Sequence, residues 1–271
     1  MTLRDFYRTN KKGFFGRTIQ KDNYIIKKLD IRNYGDMMEF IITRNFKESF
    51  IANTYNYEYD NNYIYIKQEY YPLKLEEWLK EVSEDDKIEN YGNFLKQMIR
   101  ILLFMKNKGF SHNFLTPRNI RVNDDNQLVI INFNYSHFNI PTRKIFNHTT
   151  DYNDNNIDSM TNGKNDLVAC GNIFYEMIFD KYGRIYDELE EYLPLIKSMI
   201  KGNKNLESLY KNELFKDYEC PIEFDLNDGM ITIEDLERYY DNENFINWVL
   251  NDNKILNMES IRYLLSNKLN I

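Results

Sequence analysis

Two glycines and one lysine near the start of the chain have the residue types and spacing of a phosphate-binding site. Gly13 and Gly16 lie three residues apart, and Lys27 follows the apolar segment 24–26. Glycine allows the backbone to approach a phosphate group closely. A lysine that ends a half-buried strand can carry its ammonium group into a cleft. On their own, the same residues also fit an ordinary glycine turn and a solvated lysine at a strand end.

A second segment, residues 112–119, reads His-Asn-Phe-Leu-Thr-Pro-Arg-Asn. It resembles the catalytic loop of eukaryotic-type protein kinases, H-R-D-L-K-P-x-N. The catalytic Asp of that pattern falls on Phe114, its Lys on Thr116 and its Arg on Asn113. A phenyl ring can neither orient a hydroxyl group nor accept its proton, so the resemblance implies a kinase fold without ordinary kinase chemistry. The matching positions are His112, Leu115, Pro117 and Asn119.

The glycine segment resembles the end of the kinase Gly-rich loop, G-x-G-x-F-G-x-V. Gly13 and Gly16 match its second and third glycines and Phe15 matches the aromatic residue, whereas Lys11 replaces the first glycine. Residues 24–27 resemble the family's V-A-I-K. The resemblance implies that this part of the chain binds a nucleotide and that Lys27 contacts its α- and β-phosphates.

Residues 36–42 are predicted to form a short helix that resembles helix C of the family. Glu39 lies where the helix-C glutamate would pair with Lys27. The interval between the two residues is shorter than is usual in the family, which predicts a reduced helix. Glu48 is the alternative partner for the lysine.

Residues 63–71 resemble the fifth kinase strand and the hinge that follows it. Gln68 would be the gatekeeper residue, and the stretch from Glu69 to Tyr71 would present backbone groups to an adenine. These positions are therefore expected to belong to the nucleotide site, together with the glycine segment, Lys27, Glu39 and Asn119.

Residues 132–134 resemble the D-F-G segment, with Asn132 in place of the metal-binding Asp and Asn134 in place of the Gly. Residues 166–177 match helix F, D-x-W-x-x-G-x-x-x-Y-E-M, apart from its Trp. In the family the Asp of helix F braces the catalytic-loop backbone, which implies a structural role for Asp166. His112 is likewise expected to be a packing residue and not a base.

A metal site is the weakest part of the pattern. Asn119 and Asn132 offer amide oxygens without negative charge, and charge tunes the affinity of such sites for divalent ions. We therefore expect weak Mg²⁺ binding or none. Other carboxylates could substitute only if they reached the cleft, and the candidates are Asp124 and Asp125 in a predicted turn and Asp151, Asp154 and Asp158 in the segment after residue 134.

The order of these motifs resembles that of protein kinases along the chain, and the resemblance implies an α+β, bilobal fold. A small β-rich lobe with one helix is expected over residues 1–71, and a larger α-helical lobe over 72–271. Apolar residues at helical spacing predict a long core helix over 91–108. Hydrophobic residues make up 42% of the 271, which is ample for one such two-lobed domain.

Composition excludes several classes of function. The net charge of −7 and the pI near 5.2 argue against a nucleic-acid binder. No apolar run is long enough for a membrane span, and the first residues do not resemble a signal peptide, so an intracellular, cytoplasmic location is expected. The two cysteines indicate neither a disulfide framework nor a zinc site. Abundant Asn, Ile, Lys and Tyr are typical of an A+T-rich genome.

The favoured interpretation is a pseudokinase that acts as a regulatory or protein-interaction module and binds ATP or ADP weakly, without strong dependence on metal. Its partner would be an active kinase or a cellular regulatory protein. The alternative is an active but atypical protein kinase or other ATP-dependent transferase. A small-molecule kinase of the aminoglycoside or choline type is a third reading, which the helix F match disfavours.

Overall fold

The computed structural model describes residues 2–9, 18–30, 33–59, 63–138, 164–202 and 205–222. Gly13, Phe15 and Gly16 lie outside the described residues, as do the candidate carboxylates Asp151, Asp154 and Asp158. The N-terminal part contains a four-stranded antiparallel sheet in the order β1-β2-β4-β3. Its strands are β1 (Thr18–Gln20), β2 (Tyr24–Asp30), β3 (Thr54–Tyr59) and β4 (Tyr63–Glu69).

Two helices cover the two faces of this sheet, α1 (Leu3–Thr9) and α2 (Tyr34–Asn45). Side chains alternate along β2, so Ile26 packs with the apolar side of α1 and Lys27 faces α2. Asn33 caps α2, since its side chain accepts a hydrogen bond of 3.0 Å from the Asp36 amide. Helix α1 was not expected from the sequence, which predicts a single helix in this region.

The C-terminal part is mainly helical and carries two short antiparallel strand pairs, β5 with β8 and β6 with β7. The described residues of this part also contain three short segments of 3₁₀ helix. The helices and strands are α3 (Leu75–Glu81), α4 (Glu84–Asn107), β5 (Phe110–Ser111), β6 (Ile120–Val122), β7 (Leu128–Ile130), β8 (His137–Phe138), α5 (Lys164–Met177), α6 (Leu193–Ile200) and α7 (Leu206–Tyr210). The 3₁₀ segments are Phe133–Tyr135, Asp187–Tyr192 and Glu213–Phe215.

Helix α4 is the centre of the hydrophobic core. The Ser83 side chain caps it by accepting a hydrogen bond of 3.1 Å from the Asp86 amide, and acidic residues fill its first turn. Its buried face packs against α5, where the Tyr91 hydroxyl donates to the Phe174 carbonyl at 2.9 Å. The helix begins seven residues before the predicted position 91, because the capping residue and its acidic turn extend it beyond the apolar pattern.

The segment after α2 joins the two parts of the molecule. The Ile130 amide of β7 donates to the Phe50 carbonyl at 2.8 Å, and the Ala52 amide donates to the Ile130 carbonyl at 3.1 Å. This contact holds the sheet against the loops that follow α4. The predicted α+β architecture is confirmed, with a β-rich N-terminal part and a helical C-terminal part, whereas the boundary at residue 71 stays a prediction.

Candidate functional site

A buried ion pair lies at the centre of the candidate site. Lys27 projects from β2, and its Nζ is 2.5 Å from Oε1 of Glu39 on α2. The two side chains are 11% and 1% exposed. Burial of an ion pair is favourable only when its remaining donors and acceptors are also satisfied. Glu39, and not Glu48, is therefore the acidic group that the fold gives to this lysine.

A chain of amide groups continues from the lysine to the loop before β6. The Lys27 ammonium donates to Oδ1 of Asn132 at 3.2 Å. Nδ2 of Asn132 donates to Oδ1 of Asn119 at 2.9 Å, and Nδ2 of Asn119 donates to the Phe114 carbonyl at 2.9 Å. The two amide oxygens that could bind a metal ion thus already accept hydrogen bonds from neighbours within the protein.

The first turns of α2 are docked on the segment that follows β7. The Phe133 amide donates to the second carboxylate oxygen of Glu39, and Nδ2 of Asn134 donates to Oδ1 of Asp36 at 3.3 Å. Gly35 makes the approach possible, because a Cβ atom there would lie 2.3 Å from the Asn134 carbonyl oxygen. Helix α2 therefore sets the position of both groups that contact Lys27.

His112 is fully buried and uses both ring nitrogens inside the protein. The Phe114 amide donates to Nδ1 at 3.2 Å, so the proton lies on Nε2, which donates to the Ile131 carbonyl at 3.0 Å. Asp166 on α5 accepts from the His112 amide at 2.7 Å and from the Asn113 amide at 2.8 Å. This geometry leaves no nitrogen of His112 for a substrate and places Asp166 under the loop backbone.

Burial lowers the pKa of His112 to about 4, although the Ile131 carbonyl and the Glu39 charge act in the opposite direction. Burial also raises the pKa of Asp166 to about 6, against the effect of its two backbone donors. The folded protein thus keeps His112 neutral at neutral pH and holds Asp166 in a position where ionisation is costly.

These pKa values predict a specific dependence of stability on pH. The unfolded chain protonates His112 near its ordinary pKa of about 6.5 and the folded chain only near 4, so His112 reduces the free energy of unfolding as the pH falls below about 6.5. Asp166 acts in the opposite sense, since the folded chain protonates it first, below pH 6.

Replacement of His112 by Phe isolates the histidine contribution. The variant is expected to be less stable than the parent at pH 8, because the Phe114 amide and the Ile131 carbonyl lose their partner. That deficit should shrink by about 2 kcal/mol at pH 5. Urea unfolding of both proteins at the two pH values measures it, and a deficit that does not change with pH would contradict the buried, neutral histidine.

The predicted hinge follows β4, and its side chains do not all face the cleft. Gln68 is fully buried, and its Nε2 donates to Oγ1 of Thr54 at 3.2 Å and to the Ala52 carbonyl at 3.5 Å. Its Oε1 is buried without a hydrogen-bond partner among the described residues. Glu69 is exposed and accepts a hydrogen bond of 2.7 Å from the Tyr71 hydroxyl, which leaves backbone groups as the possible contacts for a base.

Sequence patterns did not identify two threonines that connect the hinge strand to α2. Oγ1 of Thr43 donates to the Glu39 carbonyl at 2.7 Å and lies 2.8 Å from Oγ1 of Thr54, the partner of Gln68. All three side chains in this network are fully buried. A threonine inside a helix gives no signal of its own, so only the fold reveals that the gatekeeper position is linked to the ion pair.

The described part of the site contains few acidic side chains. Glu39 is the carboxylate that the described residues place against Lys27, and it is used by the ion pair. The described residues contain no group of three or more acidic, His or Cys side chains that could hold a metal ion. Asp124 and Asp125 lie exposed in the turn between β6 and β7, as the sequence predicts. Lys27 is the cation of this arrangement, and the described residues place no carboxylate at the position of Phe114.

A family model described as the protein kinase domain matches residues 16–224. The match covers most of the chain and includes Lys27 and Glu39 as well as Asn119 and Asn132. A comparison with curated proteins gave no match. Within the described residues, every helix is too short or too polar to cross a membrane.

Proposed function

Because the chain belongs to the protein kinase family, we propose that it is a pseudokinase, which binds a nucleotide without metal and acts through a protein partner. The family accounts for the nucleotide, since protein kinase domains bind ATP between a sheet lysine and a hinge. The proposal departs from the family in two respects, the loss of metal binding and the loss of phosphoryl transfer.

One observation carries the proposal, the closed chain of hydrogen bonds from Lys27 through Asn132 and Asn119 to the Phe114 carbonyl. Each of the two amide oxygens already accepts one hydrogen bond, so a metal ion would have to share it with that donor, and neither amide would supply a negative charge. Phosphoryl transfer depends on positioned reactants and on charge neutralisation by metal ions. The exposed ring of Phe114 offers no base either.

A thermal titration with ADP and ATP tests the proposal. In the presence of a chelator, a nucleotide at about 100 times its dissociation constant should stabilise the fold by about 2.7 kcal/mol, which raises the melting temperature clearly. Lys27→Ala should abolish the shift, measured against the melting temperature of that variant alone. Lys28→Ala is the matched control, since this neighbouring lysine lies over the Tyr63 ring, 3.5 Å from its centre.

The alternative is an active kinase with atypical residues, which the intact Lys27–Glu39 pair favours. It predicts a shift only when Mg²⁺ or Mn²⁺ accompanies the nucleotide, and transfer of label from γ-labelled ATP to protein acceptors. Absence of a shift under all conditions would contradict nucleotide binding and leave protein interaction as the function.

A single substitution should create the missing metal dependence. Asn132→Asp places a carboxylate beside Oδ1 of Asn119, and we expect the preference for Mg-ADP over metal-free ADP to rise about tenfold, which corresponds to about 1.4 kcal/mol. Calorimetric titration with and without Mg²⁺ measures the preference. Asn123→Asp adds the same charge in the β6–β7 turn, where the side chain already accepts two backbone hydrogen bonds, and should change nothing.

The partner is expected to be an active kinase or another regulatory protein of the cell interior, where ATP and ADP are abundant. This part of the proposal rests on family membership and on the absence of a base in the described site. Fold alone does not identify a partner, so its chemistry has to be sought on the surface.

A further inference from the structure

Two segments of the helical part carry the excess negative charge of the protein. Residues 81–90 and 187–191 together contain nine carboxylates and one lysine, a net charge of −8, whereas the whole chain has a net charge of −7. All nine carboxylates are exposed. We name this surface the acidic face, and its members are Glu81, Glu84, Asp85, Asp86, Glu89, Asp187, Glu188, Glu190 and Glu191.

The fold brings the two segments together at the start of α4. The Tyr91 ring of α4 packs against the ring of Tyr192, which ends the 3₁₀ segment, with ring centres 5.1 Å apart. A Cβ atom at Gly92 would lie 2.5 Å from the Tyr192 hydroxyl. Glu84 lies on the same side of α4 as Tyr91, since seven residues make about two turns. The helix has 24 residues, so the acidic face lies roughly 35 Å from the end that precedes residues 112–119.

The carboxylates of the acidic face have no cationic partner among the described residues, where no lysine or arginine forms an ion pair with any of the nine. Acidic residues in the first turn of α4 favour the helix dipole. That effect falls off within one turn, so it does not account for Glu89, or for Glu191 near the end of the 3₁₀ segment. Like charges at these positions repel one another, and a cationic partner would relieve the repulsion.

A buried hydroxyl group beside the acidic face also lacks a partner. Tyr186 is 8% exposed, and its hydroxyl has no hydrogen-bond partner in the described ranges. Burial raises the pKa of this hydroxyl, and the nearby charges of Glu84 and Asp180 raise it further. Buried polar groups nearly always have a partner, and one without a partner costs stability. The negative charges around this hydroxyl favour a cationic donor as the missing partner.

The arrangement of the charges favours an extended cation over a metal ion. The part of the chain that the structure describes contains no group of three or more acidic, His or Cys side chains that could hold a metal ion. Nucleic acids and anionic membrane surfaces would be repelled. A polypeptide with several basic residues can spread its charges over the nine carboxylates. Arginine fits best beside Glu84 and Tyr186, because its guanidinium has five donors and can serve a carboxylate and a hydroxyl oxygen together.

We infer that the acidic face is the docking surface for an arginine-rich segment of a partner protein, one arginine of which pairs with Glu84 and donates to the Tyr186 hydroxyl oxygen. The inference rests on the proposed function as a protein-interaction module and specifies the chemistry of the partner. It does not require a nucleotide, because no residue of the acidic face belongs to the Lys27–Glu39–Asn132 network.

Fluorescence anisotropy with a labelled peptide, in which six arginines alternate with serines, tests the inference on the full chain. We expect saturable one-to-one binding at about 50 mM salt and at least tenfold weaker binding at about 300 mM, because salt screens exposed charges. The triple variant Glu84→Gln, Asp85→Asn and Glu188→Gln should bind the peptide about tenfold more weakly than the parent.

The matched control removes the same charge from exposed positions elsewhere, in the triple variant Asp22→Asn, Asp124→Asn and Asp125→Asn, and should bind as the parent does. Tyr186→Phe removes the hydroxyl and keeps the ring, so it should bind the arginine peptide about threefold more weakly. A peptide with lysine in place of every arginine should bind the parent and Tyr186→Phe alike. The melting temperature of each variant verifies its fold.

Four results would overturn the inference: no saturable binding, unchanged binding to the triple variant of the acidic face, an equal loss in the control variant, or unchanged binding of the arginine peptide to Tyr186→Phe. Sedimentation of the protein alone adds a fifth, since an oligomer that the triple variant dissociates would assign the acidic face to a second copy of the chain. Peptide binding without an ADP shift would contradict only the nucleotide part of the proposed function, and an ADP shift without peptide binding would contradict only the inference.

Discussion

Replacement of Glu39 by alanine is expected to lower the free energy of unfolding by about 3–5 kcal/mol, the largest effect of a single substitution in the candidate site. The Lys27 ammonium would remain in a place where its side chain is only 11% exposed, without its counter-ion. The Phe133 amide would lose its acceptor at the same time. The first loss leaves a buried charge without a counter-ion and the second leaves a buried amide without its acceptor, and each costs more than the intact interaction contributes. Urea denaturation followed by far-UV circular dichroism measures the change.

Two further variants distinguish the contribution of the Glu39 charge to stability from that of its hydrogen bond with the Phe133 amide. Glu39→Gln retains an acceptor for the Phe133 amide but leaves Lys27 without a counter-ion, so its loss of stability should be smaller than that of Glu39→Ala. The double variant Lys27→Met with Glu39→Gln removes both charges and should recover most of the stability, because replacing a buried ion pair by uncharged groups is often nearly neutral. If the double variant is no more stable than Glu39→Ala, the cost does not come from an unpaired charge.

An exposed ion pair of the protein is expected to contribute far less to stability than the buried Lys27–Glu39 pair. Arg118 and Glu76 lie 2.9 Å apart, with the arginine side chain 76% exposed. Solvent screens such a pair and its side chains lose freedom when they pair. Glu76→Ala should therefore leave the unfolding curve unchanged within experimental error, and a large loss there would show that distance alone, not burial, governs these interactions.

The sequence predicts those parts of the site that follow from local pattern. Lys27 and Glu39 match the lysine and the helix-C glutamate that pair in the family, so their pairing could be expected before the fold was known, although β2 continues to Asp30, beyond the strand end expected at Lys27. Phe114 and Asn132 could be recognised as replacements because the residues around them keep the family spacing. Each of these residues could be identified from a short motif and from the position of that motif along the chain.

Other features depend on contacts between distant segments and gave no such signal. The hydrogen bond between Asn132 and Asn119 joins residues 13 positions apart in sequence, and only the fold brings the two amides within 2.9 Å. Helix α1 is a short segment whose stability comes from packing on the outer face of the sheet, and its own pattern is too brief to predict it. Gly35 looks like an ordinary residue of a helix until the Asn134 carbonyl is placed against it.

Gly35→Ala is expected to destabilise the protein by about 1–3 kcal/mol, although alanine is favoured over glycine in a helix by about 1 kcal/mol. The new Cβ atom would lie 2.3 Å from the Asn134 carbonyl oxygen, which is backbone and cannot rotate away. Either α2 or residues 132–134 must move. Since Glu39 and Asn132 contact Lys27 from these two elements, ADP should bind at least tenfold more weakly. Urea unfolding and calorimetric titration with ADP measure the two effects.

Asn134→Ala is the matched control for the movement of α2 or residues 132–134 that Gly35→Ala requires. It removes the hydrogen bond of 3.3 Å to Asp36 but adds no atom between the helix and the segment. Its cost should be about 1 kcal/mol, the net value of one hydrogen bond, and ADP binding should persist. Equal losses of ADP affinity in both variants would mean that the side-chain hydrogen bond positions Asn132. If Gly35→Ala is instead more stable than the parent, α2 can move away from residues 132–134 without cost. The Lys27–Glu39 ion pair would then be the contact that fixes the position of α2.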